Sequence, residues 1–400
     1  MTAPAPTETV DLARLRSGRL AALRGELARR ELAGLLLFDP INIRYATDAS
    51  NMQVWCLHNP ARYDFIATEG PVVLLEFKGC EPLFADFPTI DEVRPAISWF
   101  AFTAGSRIDE KAQAWAGEIA DLVATYGGTN RRLAYDRLDP VGAHALGARG
   151  VELHEGQLLI EHVRARKTPE EITAMRSAIA VCEAGITAMH EALEPGVTEN
   201  VLWAHLHRVN IEQGGEWIET RLLTSGPRTN PWYQECGPRT IEAGDLVSFD
   251  TDLIGPYGYC ADISRSWLCG GGPPSDEQRA LYGAAYEQIQ KGIAALAPGL
   301  TFCEYTEAAG DVPAPYDEQR YSFRAHGVGL ADEWSGIVHA QDFDAWGYEG
   351  RLEAGMTLCV ESYIGATGGA EGVKLEEQVL ITAAGPEVLS TYPFESRSLG

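Results

Sequence analysis

The sequence predicts an α/β (α+β) protein with two domains, and three observations support this prediction. The chain has 400 residues, of which 45% are apolar, so it is long enough to form two hydrophobic cores. Roughly the first 150 residues alternate helical and strand-like patterns, whereas the later part carries strands separated by glycine-bearing turns. We expect an N-terminal α/β domain over residues 1–155 and, over residues 156–400, a curved antiparallel sheet backed by helices.

The N-terminal domain begins with a helical pattern and continues with short apolar runs. Leu20, Leu23 and Leu27 recur at steps of three and four, which is typical of a helix with one buried face. The runs AGLLLF, PVVLLEF and RRLAYD have the length and composition of strands. This alternation predicts the α/β arrangement.

The second domain is predicted to begin with a long helix after VRARKTPEE. Thr168 can cap this helix, Pro169 suits its first turn, and Glu171 completes a capping box. One apolar stripe follows at helical spacing: Ile172, Met175, Ile179, Cys182, Ile186 and Met189. A second helix is expected over ENVLWAHLHRVNIEQ and a third near Ser275, where Gln278 completes another capping box. Four stretches predict strands: DLVSFDTD, YCADISRSW, MTLCVESY and VKLEEQVLIT.

Composition argues against several classes of partner. The formal net charge is -25, and such a field repels nucleic acid and anionic membranes. The longest apolar runs are far shorter than the roughly 20 residues of a membrane span, and the N-terminus has no signal-peptide pattern. The eight cysteines form no C-x-x-C pair, which suits reduced, buried thiols. We predict a cytoplasmic protein that binds neither nucleic acid nor membranes.

Three carboxylates are predicted to converge in the stretch SFDTDLIGPYGYCAD. Asp250 and Asp252 are two residues apart, so on a strand they share a face, and the Gly-Pro turn returns Asp262 beside them. Like charges this close destabilise a fold unless a cation neutralises them. The hairpin therefore predicts a metal site, although a single aspartate in a turn is more often a turn residue.

Further candidate ligands lie downstream in strand-like sequence. These are His326 in AHGVG, Glu361 in CVESY and Glu376 in VKLEEQV. Five carboxylates and one imidazole form an oxygen-rich set that suits two divalent ions, and the spacing leaves iron, manganese, cobalt and zinc open.

These motifs and their order resemble the pita-bread metalloenzymes, the family of methionine aminopeptidase, prolidase, aminopeptidase P and creatinase. The likeness covers nearly the whole chain, from LAGLLLFDPINIRYATD through KTPEEI to GVKLEEQVLIT. It implies a creatinase-like N-terminal domain, a pita-bread catalytic domain and a homodimer. Four family ligands fall on Asp262, His326, Glu361 and Glu376.

The sequence departs from the family's peptidases at three places. The first metal aspartate of the family falls on Thr251, so one or both of Asp250 and Asp252 replace it. The loop SGPRTNPWYQECGPRT lacks the histidine that peptidases carry there. His339 follows the inserted segment ADEWSG, and Ala340 stands where an acid is usual. Peptide hydrolysis uses these proton-handling groups, so the departures argue against a peptidase.

The inserted segment and nearby aromatic residues suggest a different substrate. Asp332 and Glu333 place a spare carboxylate near His326 that can act as a general base. Aromatic faces can hold a cation at about 0.5 to 2 kcal/mol per ring, and the candidates are Trp232, Tyr233, Tyr321, Phe323 and Trp334. Core packing is the alternative role, particularly for Phe323. Together the parts suit a small zwitterion with a carboxylate and an onium cation.

Within the family, this combination resembles the dimethylsulfoniopropionate (DMSP) lyases of the DddP type. The resemblance implies a carbon–sulfur lyase that forms dimethyl sulfide and acrylate by β-elimination. Asp332 would abstract the Cα proton, and Tyr321 would be a second catalytic residue on the substrate side. It also implies two divalent ions, iron in the first place, with these ligands: Asp250, Asp252, Asp262, His326, Glu361 and Glu376.

In this branch of the family, the N-terminal domain of one subunit often covers the active site of its partner. The stretch NMQVWCLHNPARYDF can therefore supply lid residues such as Trp55, His58 or Tyr63, with a surface or domain-interface role as the alternative. Two other functions stay open. One is an Xaa-Pro metallopeptidase of prolidase or aminopeptidase P type, and the other is a metal-free creatinase-like binding protein.

Overall fold

The structure is a computed structural model that describes residues 9–399. The chain forms two compact units, one over Asp11–Arg164 and one that begins at Ala165. We call them the N-terminal unit and the catalytic unit. The division of roles between residues 1–155 and residues 156–400 stays a prediction.

The N-terminal unit is built on a six-stranded mixed sheet in the order β4-β3-β2-β1-β5-β6. Its helices are α1 (Leu12–Arg29), α2 (Pro40–Thr47), α3 (Gln53–Cys56), α4 (Ala101–Ala104), α5 (Ile108–Gly127), α6 (Pro140–Gly147) and α7 (Gln157–Arg164). Its strands are β1 (Gly34–Leu37), β2 (Tyr63–Ala67), β3 (Val72–Glu76), β4 (Glu92–Pro95), β5 (Arg132–Tyr135) and β6 (Glu152–Glu155). Strand β1 runs antiparallel to β2 and parallel to β5. The three predicted strands correspond to β1, β3 and β5.

The catalytic unit contains five further helices and eleven further strands within the described residues. The helices are α8 (Pro169–Ala192), α9 (Glu199–Glu212), α10 (Asp276–Ala295), α11 (Phe302–Ala309) and α12 (Phe343–Trp346). The strands before α10 are β7 (Trp217–Ile218), β8 (Leu223–Ser225), β9 (Leu246–Phe249), β10 (Leu253–Ile254), β11 (Cys260–Ala261) and β12 (Arg265–Leu268). Those after α10 are β13 (Ala325–Val328), β14 (Asp332–Ile337), β15 (Thr357–Gly365), β16 (Gly372–Thr382) and β17 (Gly385–Val388).

The strands of the catalytic unit pair only antiparallel among the described residues, which confirms the predicted fold class. The largest sheet has the order β14-β13-β15-β16-β17, and two smaller sheets have the orders β12-β9-β8 and β11-β10-β7. Tyr282, Ala285 and Ile289 of α10 belong to the same buried core as Val360 and Leu375 of the large sheet. A helix therefore backs the sheet that carries three of the six candidate ligands.

The predicted helix starts are confirmed by their caps. The Thr168 and Ser275 side chains each accept a hydrogen bond from the backbone N–H three residues later. The side chains of Glu171 and Gln278 in turn accept from the backbone N–H of Thr168 and Ser275. Helix α8 is long and apolar enough to cross a membrane by composition. However, 56% of that apolar window is buried within the fold, as in the core helix of a soluble protein.

One buried carboxylate in the N-terminal unit is poorly solvated. Asp64 of β2 is 0% exposed. Burial raises the pKa of its carboxyl from 3.8 to about 8, although the Arg62 guanidinium opposes this shift. Between these values the native state binds a proton that the unfolded chain releases, so the free energy of unfolding falls as pH rises.

We expect Asp64→Asn to reduce this loss of stability between pH 4 and pH 8. The slope of the unfolding free energy against pH should change by up to about 1.4 kcal/mol per pH unit, because the amide does not titrate. Urea unfolding at several pH values measures it. The matched control, Asp109→Asn on the exposed first turn of α5, should keep the wild-type slope; the same slope in Asp64→Asn would contradict the assignment.

Candidate metal centre and active site

The six side chains predicted as metal ligands meet in the catalytic unit, although they come from separate elements. Asp250 follows β9, Asp252 precedes β10 and Asp262 follows β11. The other three lie in strands β13, β15 and β16: His326, Glu361 and Glu376. We call these six residues the carboxylate cluster.

Ligand atoms of the carboxylate cluster form three buried groups, each with its atoms within 4.8 Å of one another. The groups are Asp262, His326, Cys359 and Glu376; Asp250, Glu361 and Glu376; and Asp250, Asp252 and Asp262. Shared members join the groups into one site. Cys359, which the sequence did not single out, lies directly opposite His326 in the β13–β15 pair.

Strand register explains why acidic side chains face each other here. Glu361 of β15 lies directly opposite Glu376 of β16. Side chains at such positions share a face of the sheet and are close enough for like charges to repel. Opposed glutamates in a buried strand pair therefore need a positive partner.

The backbone between Asp250 and Asp252 differs from the predicted continuous strand. They do not share a face of one continuous strand, because β9 ends at Phe249 and the chain bends before β10. Asp252 has a φ of 37°, which is unusual for a residue other than glycine. The Thr251 hydroxyl instead donates to the Ala261 carbonyl at 3.0 Å and accepts from Ile263 N at 2.9 Å. The bend, and not strand alternation, brings both aspartates to the cluster.

A buried lysine that the sequence prediction missed lies against the cluster. Lys374 is 0% exposed, and its Nζ is 3.0 Å from Asp250 Oδ2, 2.7 Å from Glu361 Oε2 and 3.1 Å from Glu376 Oε2. Lys374 Nζ also donates a hydrogen bond to Ser264 Oγ at 2.9 Å. The signal was present in VKLEE, because Lys374 and Glu376 share a face of β16.

The orientation of His326 leaves one ring nitrogen for the cluster. Its Nδ1 is 3.0 Å from the carbonyl oxygen of Gly327, which can only accept, so Nδ1 carries the proton. Nε2 then faces Glu361 Oε1 at 3.0 Å and Glu376 Oε1 at 3.4 Å. Because Nδ1 bonds the backbone, Nε2 is the ring nitrogen available to a metal ion, as in metal-ligating histidines.

The electrostatics of the cluster favour a bound cation. Burial and the Glu376 carboxylate raise the pKa of Asp250 to about 7, although Lys374 opposes this shift. Burial and neighbouring carboxylates also raise the pKa of Asp252 and Asp262 well above the usual range. Both Glu361 carboxylate oxygens and Glu376 Oε1 are buried, and their charged neighbours include Lys374 Nζ, 2.7 Å from Glu361 Oε2, and His326 Nε2, 3.0 Å from Glu361 Oε1 and 3.4 Å from Glu376 Oε1. One lysine cannot neutralise five buried carboxylates, and carboxylate oxygens are ligands that a divalent ion uses, so the residues fit a metal.

A cavity of about 320 Å³ opens above the cluster. Its walls include Tyr233, Tyr321 and Asp332, together with Glu219 and Glu235, which the sequence prediction did not include. The Asp332 side chain is 46% exposed, and its Oδ1 is 3.8 Å from His326 Nδ1. Its pKa is raised by partial removal from solvent and by Glu376 and Glu361, although His326 lowers it.

The structure brings only some of the predicted aromatic residues to the cavity. The Tyr233 and Tyr321 rings stack with centroids 5.3 Å apart, and both line the wall. Trp232 and Trp334 are not among the wall residues. Trp232 is 6% exposed and packs on Tyr363 with ring centroids 5.8 Å apart. These tryptophans are better explained as packing residues.

Trp334, Phe323 and His339 occupy other positions around the site. Trp334 packs on Phe302 with ring centroids 5.5 Å apart, next to the main core. Phe323 is 37% exposed and is not a wall residue. His339 is 1% exposed, and burial lowers its pKa to about 3. It therefore stays neutral, and it is not among the residues that line the cavity.

The predicted lid residues lie in the N-terminal unit. Tyr63 is wrong as a lid residue, because it is 0% exposed and its hydroxyl donates to the Ile97 carbonyl. His58 is exposed. Trp55 is partly exposed and belongs to an aromatic patch with Phe77, Phe100 and Phe102. Phe102 of this patch is 82% exposed.

The catalytic unit is thus that of a metalloenzyme whose ligands come from antiparallel strands around a small cavity. Residues 173–383 match metallopeptidase family M24, and the chain belongs to this family. Together with the buried ligand groups, this membership indicates that the carboxylate cluster binds divalent metal.

Named relatives and solved structures give complementary information. The chain is 45% identical to "Dimethylsulfoniopropionate lyase DddP" of Roseovarius nubinhibens, over 98% of this chain and 89% of the relative. It is 42% identical to the protein of the same name in Roseobacter denitrificans, over 98% and 88%. The Xaa-Pro dipeptidase from Bacillus anthracis has the same fold, with a TM-score of 0.76 at 22% identity over 95% of this chain and 99% of that one. Prolidase from Thermococcus sibiricus has a TM-score of 0.77 at 21% identity, over 95% and 98%.

We expect Glu376→Gln to reduce metal affinity by about tenfold or more, because Glu376 belongs to two of the three ligand groups. Elemental analysis and calorimetric titration of chelated protein measure this loss. Glu219→Gln, on the cavity wall but outside the groups, should bind metal as the wild type does. Equal metal content in Glu376→Gln and wild type would show that the cluster is not the metal site.

Proposed function

We propose that this protein is a metal-dependent lyase that cleaves dimethylsulfoniopropionate to dimethyl sulfide and acrylate. The observation that carries the proposal is 45% identity, over 98% of the chain, to a protein named as this lyase. The cavity of about 320 Å³ is also of a size for a small zwitterion. The reaction is a β-elimination that consumes no water.

The elimination needs a base at one end of the substrate and a leaving group at the other. The base removes a proton from the carbon next to the carboxylate. The electron pair of that C–H bond forms the carbon–carbon double bond of acrylate, and the carbon–sulfur pair leaves on sulfur as neutral dimethyl sulfide. When bound, divalent metal supplies positive charge that holds the substrate carboxylate and acidifies the neighbouring C–H.

Asp332 is the proposed base. It lines the cavity together with four members of the carboxylate cluster: Asp250, Asp252, Asp262 and His326. The raised pKa of its carboxyl makes it a stronger base than an ordinary aspartate. The base is therefore on the cavity wall, next to the metal ligands.

The cationic end of the substrate is proposed to lie against the stacked rings of Tyr233 and Tyr321, which support a sulfonium by about 0.5 to 2 kcal/mol per ring. Tyr321 is then the second catalytic-site residue. The acidic wall residues Glu219 and Glu235 add negative charge on the same cavity. A neutral product loses these attractions, which favours its release.

We further propose that the cluster holds two divalent ions, with iron first and zinc, manganese or cobalt as alternatives. Asp250, Asp262 and Glu376 each belong to two ligand groups, as residues that bridge two ions would. Two divalent ions and the Lys374 ammonium carry five positive charges, which balance the five cluster carboxylates. The eight cysteines are unpaired in the structure, which supports a reducing, cytoplasmic location.

The alternative activity is Xaa-Pro dipeptidase, which the solved neighbours favour only through their fold. The cavity argues against it. Among the described residues, its wall includes one histidine, His326, which belongs to the metal ligands. His339, the second histidine of the motif, is buried elsewhere.

We expect wild-type protein to release dimethyl sulfide and acrylate from dimethylsulfoniopropionate, and Asp332→Asn to lower kcat by roughly 10²- to 10⁴-fold because the base is lost. Headspace gas chromatography and acrylate chromatography measure the products. Metal content should stay at the wild-type level, since Asp332 is outside the ligand groups.

An Xaa-Pro dipeptide is assayed in parallel. Proline release without dimethyl sulfide would replace the lyase by the dipeptidase. A protein that holds no metal and turns over neither substrate would instead favour a binding protein. Full lyase turnover by Asp332→Asn would remove Asp332 as the base while leaving the overall reaction intact.

The protein is proposed to act as a homodimer in which Trp55 of one chain covers the cavity of the other. The exposed aromatic patch around Trp55 supports this, because exposed apolar patches commonly mark contact surfaces. Such a dimer would exclude water from the base and the substrate.

A mixed dimer tests the shared site. One chain carries Trp55→Ala, the other carries Asp332→Asn, and two affinity tags isolate the hybrid. One complete site of two is expected to restore about half of the wild-type turnover, whereas each parent dimer stays low. A hybrid no more active than its parents, or a monomer by light scattering, would contradict the proposal.

A further inference from the structure

The residue after the proposed base points away from the cavity into the protein. Asp332 and Glu333 are the first two residues of β14, so their side chains lie on opposite faces. Asp332 has a side chain that is 46% exposed, and the Glu333 side chain is 1% exposed. A carboxylate buried to that extent needs a charged partner.

That partner is Lys167. Its Nζ forms an ion pair with Glu333 Oε1, and the Lys167 side chain is 2% exposed. The pair spans 166 positions of sequence, so it ties β14 to the segment that precedes α8. A buried ion pair between fixed elements restricts position more than a surface pair, because neither group can exchange its partner for water.

Both ends of this connection are held in place. Lys167 N donates to the Gly355 carbonyl at 2.8 Å, and the next residue, Thr168, caps α8. On the other side, the turn into β14 fits closely around Glu333, since a Cβ at Gly329 would collide with the Glu333 carboxylate. The Gly329 carbonyl also accepts from Cys260 N at 2.7 Å.

The same strand pair carries a metal ligand and the base. β13, which contains His326, pairs with β14, and Val328 lies opposite Asp332 across a bulge-bearing ladder. The irregularity falls between His326 and Gly327, where pairing alone fixes the register less firmly. An additional tether on β14 would fix where Asp332 stands relative to His326.

We propose that the Lys167–Glu333 ion pair is a positioning device that sets the Asp332 carboxylate for proton abstraction. The inference rests on the proposed lyase function. Lys167 and Glu333 lie neither on the cavity wall nor in the ligand groups, so they would act through the backbone of β14. A displacement of about 1 Å at a reacting group can lower a rate by roughly 100-fold, so loss of the tether should appear mainly in kcat.

The test uses the metal-loaded full-length protein and three variants: Glu333→Gln, Lys167→Met and Lys167→Arg. The two variants without the ion pair are expected to lose about 10- to 100-fold in kcat, with KM and metal content near wild type. Lys167→Arg keeps a cation and should recover much of the rate. The isotope effect with substrate deuterated at the α-carbon should rise when the base is misplaced, a change that lower stability alone does not produce.

A double variant separates the effect of the ion pair on the position of Asp332 from its effect on the stability of the fold. Glu333→Gln combined with Lys167→Met removes both charges of this ion pair, so its melting temperature should lie above those of the two single variants while kcat stays low. Asp48→Asn is the matched control, because it removes an ion pair with Arg19, whose side chain is 0% exposed, in the N-terminal unit and outside the proposed lid stretch. It should lower the melting temperature and leave kcat unchanged.

The outcomes distinguish this inference from the proposed function. No dimethyl sulfide from the wild type would overturn the lyase function itself. Normal wild-type turnover with unchanged kcat and isotope effect in folded Glu333→Gln would overturn only the positioning role. A parallel loss of metal in Glu333→Gln would likewise overturn it, since the pair would then act on the metal ligands.

Discussion

Confinement of like charges is the constraint on which the catalytic unit depends. Five carboxylates that are each 6% exposed or less share one region of the interior: Asp250, Asp252, Asp262, Glu361 and Glu376. Such a set would drive the fold apart without positive partners. Lys374 supplies one inside the protein, and the ligand groups and family membership indicate that divalent metal adds further positive charge. The buried carboxylates therefore give the proposed active site a high affinity for cations.

The antiparallel sheet positions several of these ligands precisely enough to bind metal. Direct opposition of Glu361 to Glu376 fixes two ligands by hydrogen-bond register, without dependence on a flexible loop. The β13–β14 pair adds His326 on one strand and the proposed base on the other. Three of the six predicted ligands, His326, Glu361 and Glu376, thus belong to the same sheet as the proposed base.

Local sequence signals predicted much of the fold, and long-range contacts account for what they missed. The capping boxes at Thr168 and Ser275 are local, and the structure has both. The bend at Asp252 and the contacts of Lys374 with Asp250 and Glu361 depend on residues far along the chain, so spacing alone could not reveal them, whereas its contact with Glu376 was implied by VKLEE. Aromatic composition likewise could not separate Tyr233, on the cavity wall, from its neighbour Trp232 in the interior. The choice between lyase and peptidase came from resemblance and from the departures from peptidase motifs.

The position of Lys374 has a consequence for the order in which the parts of the cluster bind metal. Its ammonium contacts every member of the group formed by Asp250, Glu361 and Glu376, whereas the group formed by Asp250, Asp252 and Asp262 keeps two members that it does not contact. Metal that enters at Asp250, Glu361 and Glu376 therefore competes with the Lys374 ammonium, whereas metal that enters at Asp252 and Asp262 displaces protons, because the pKa of both carboxyls is raised. We therefore expect the side of Asp252 and Asp262 to bind metal first, so that cells with scarce metal hold folded protein whose cluster is incompletely neutralised.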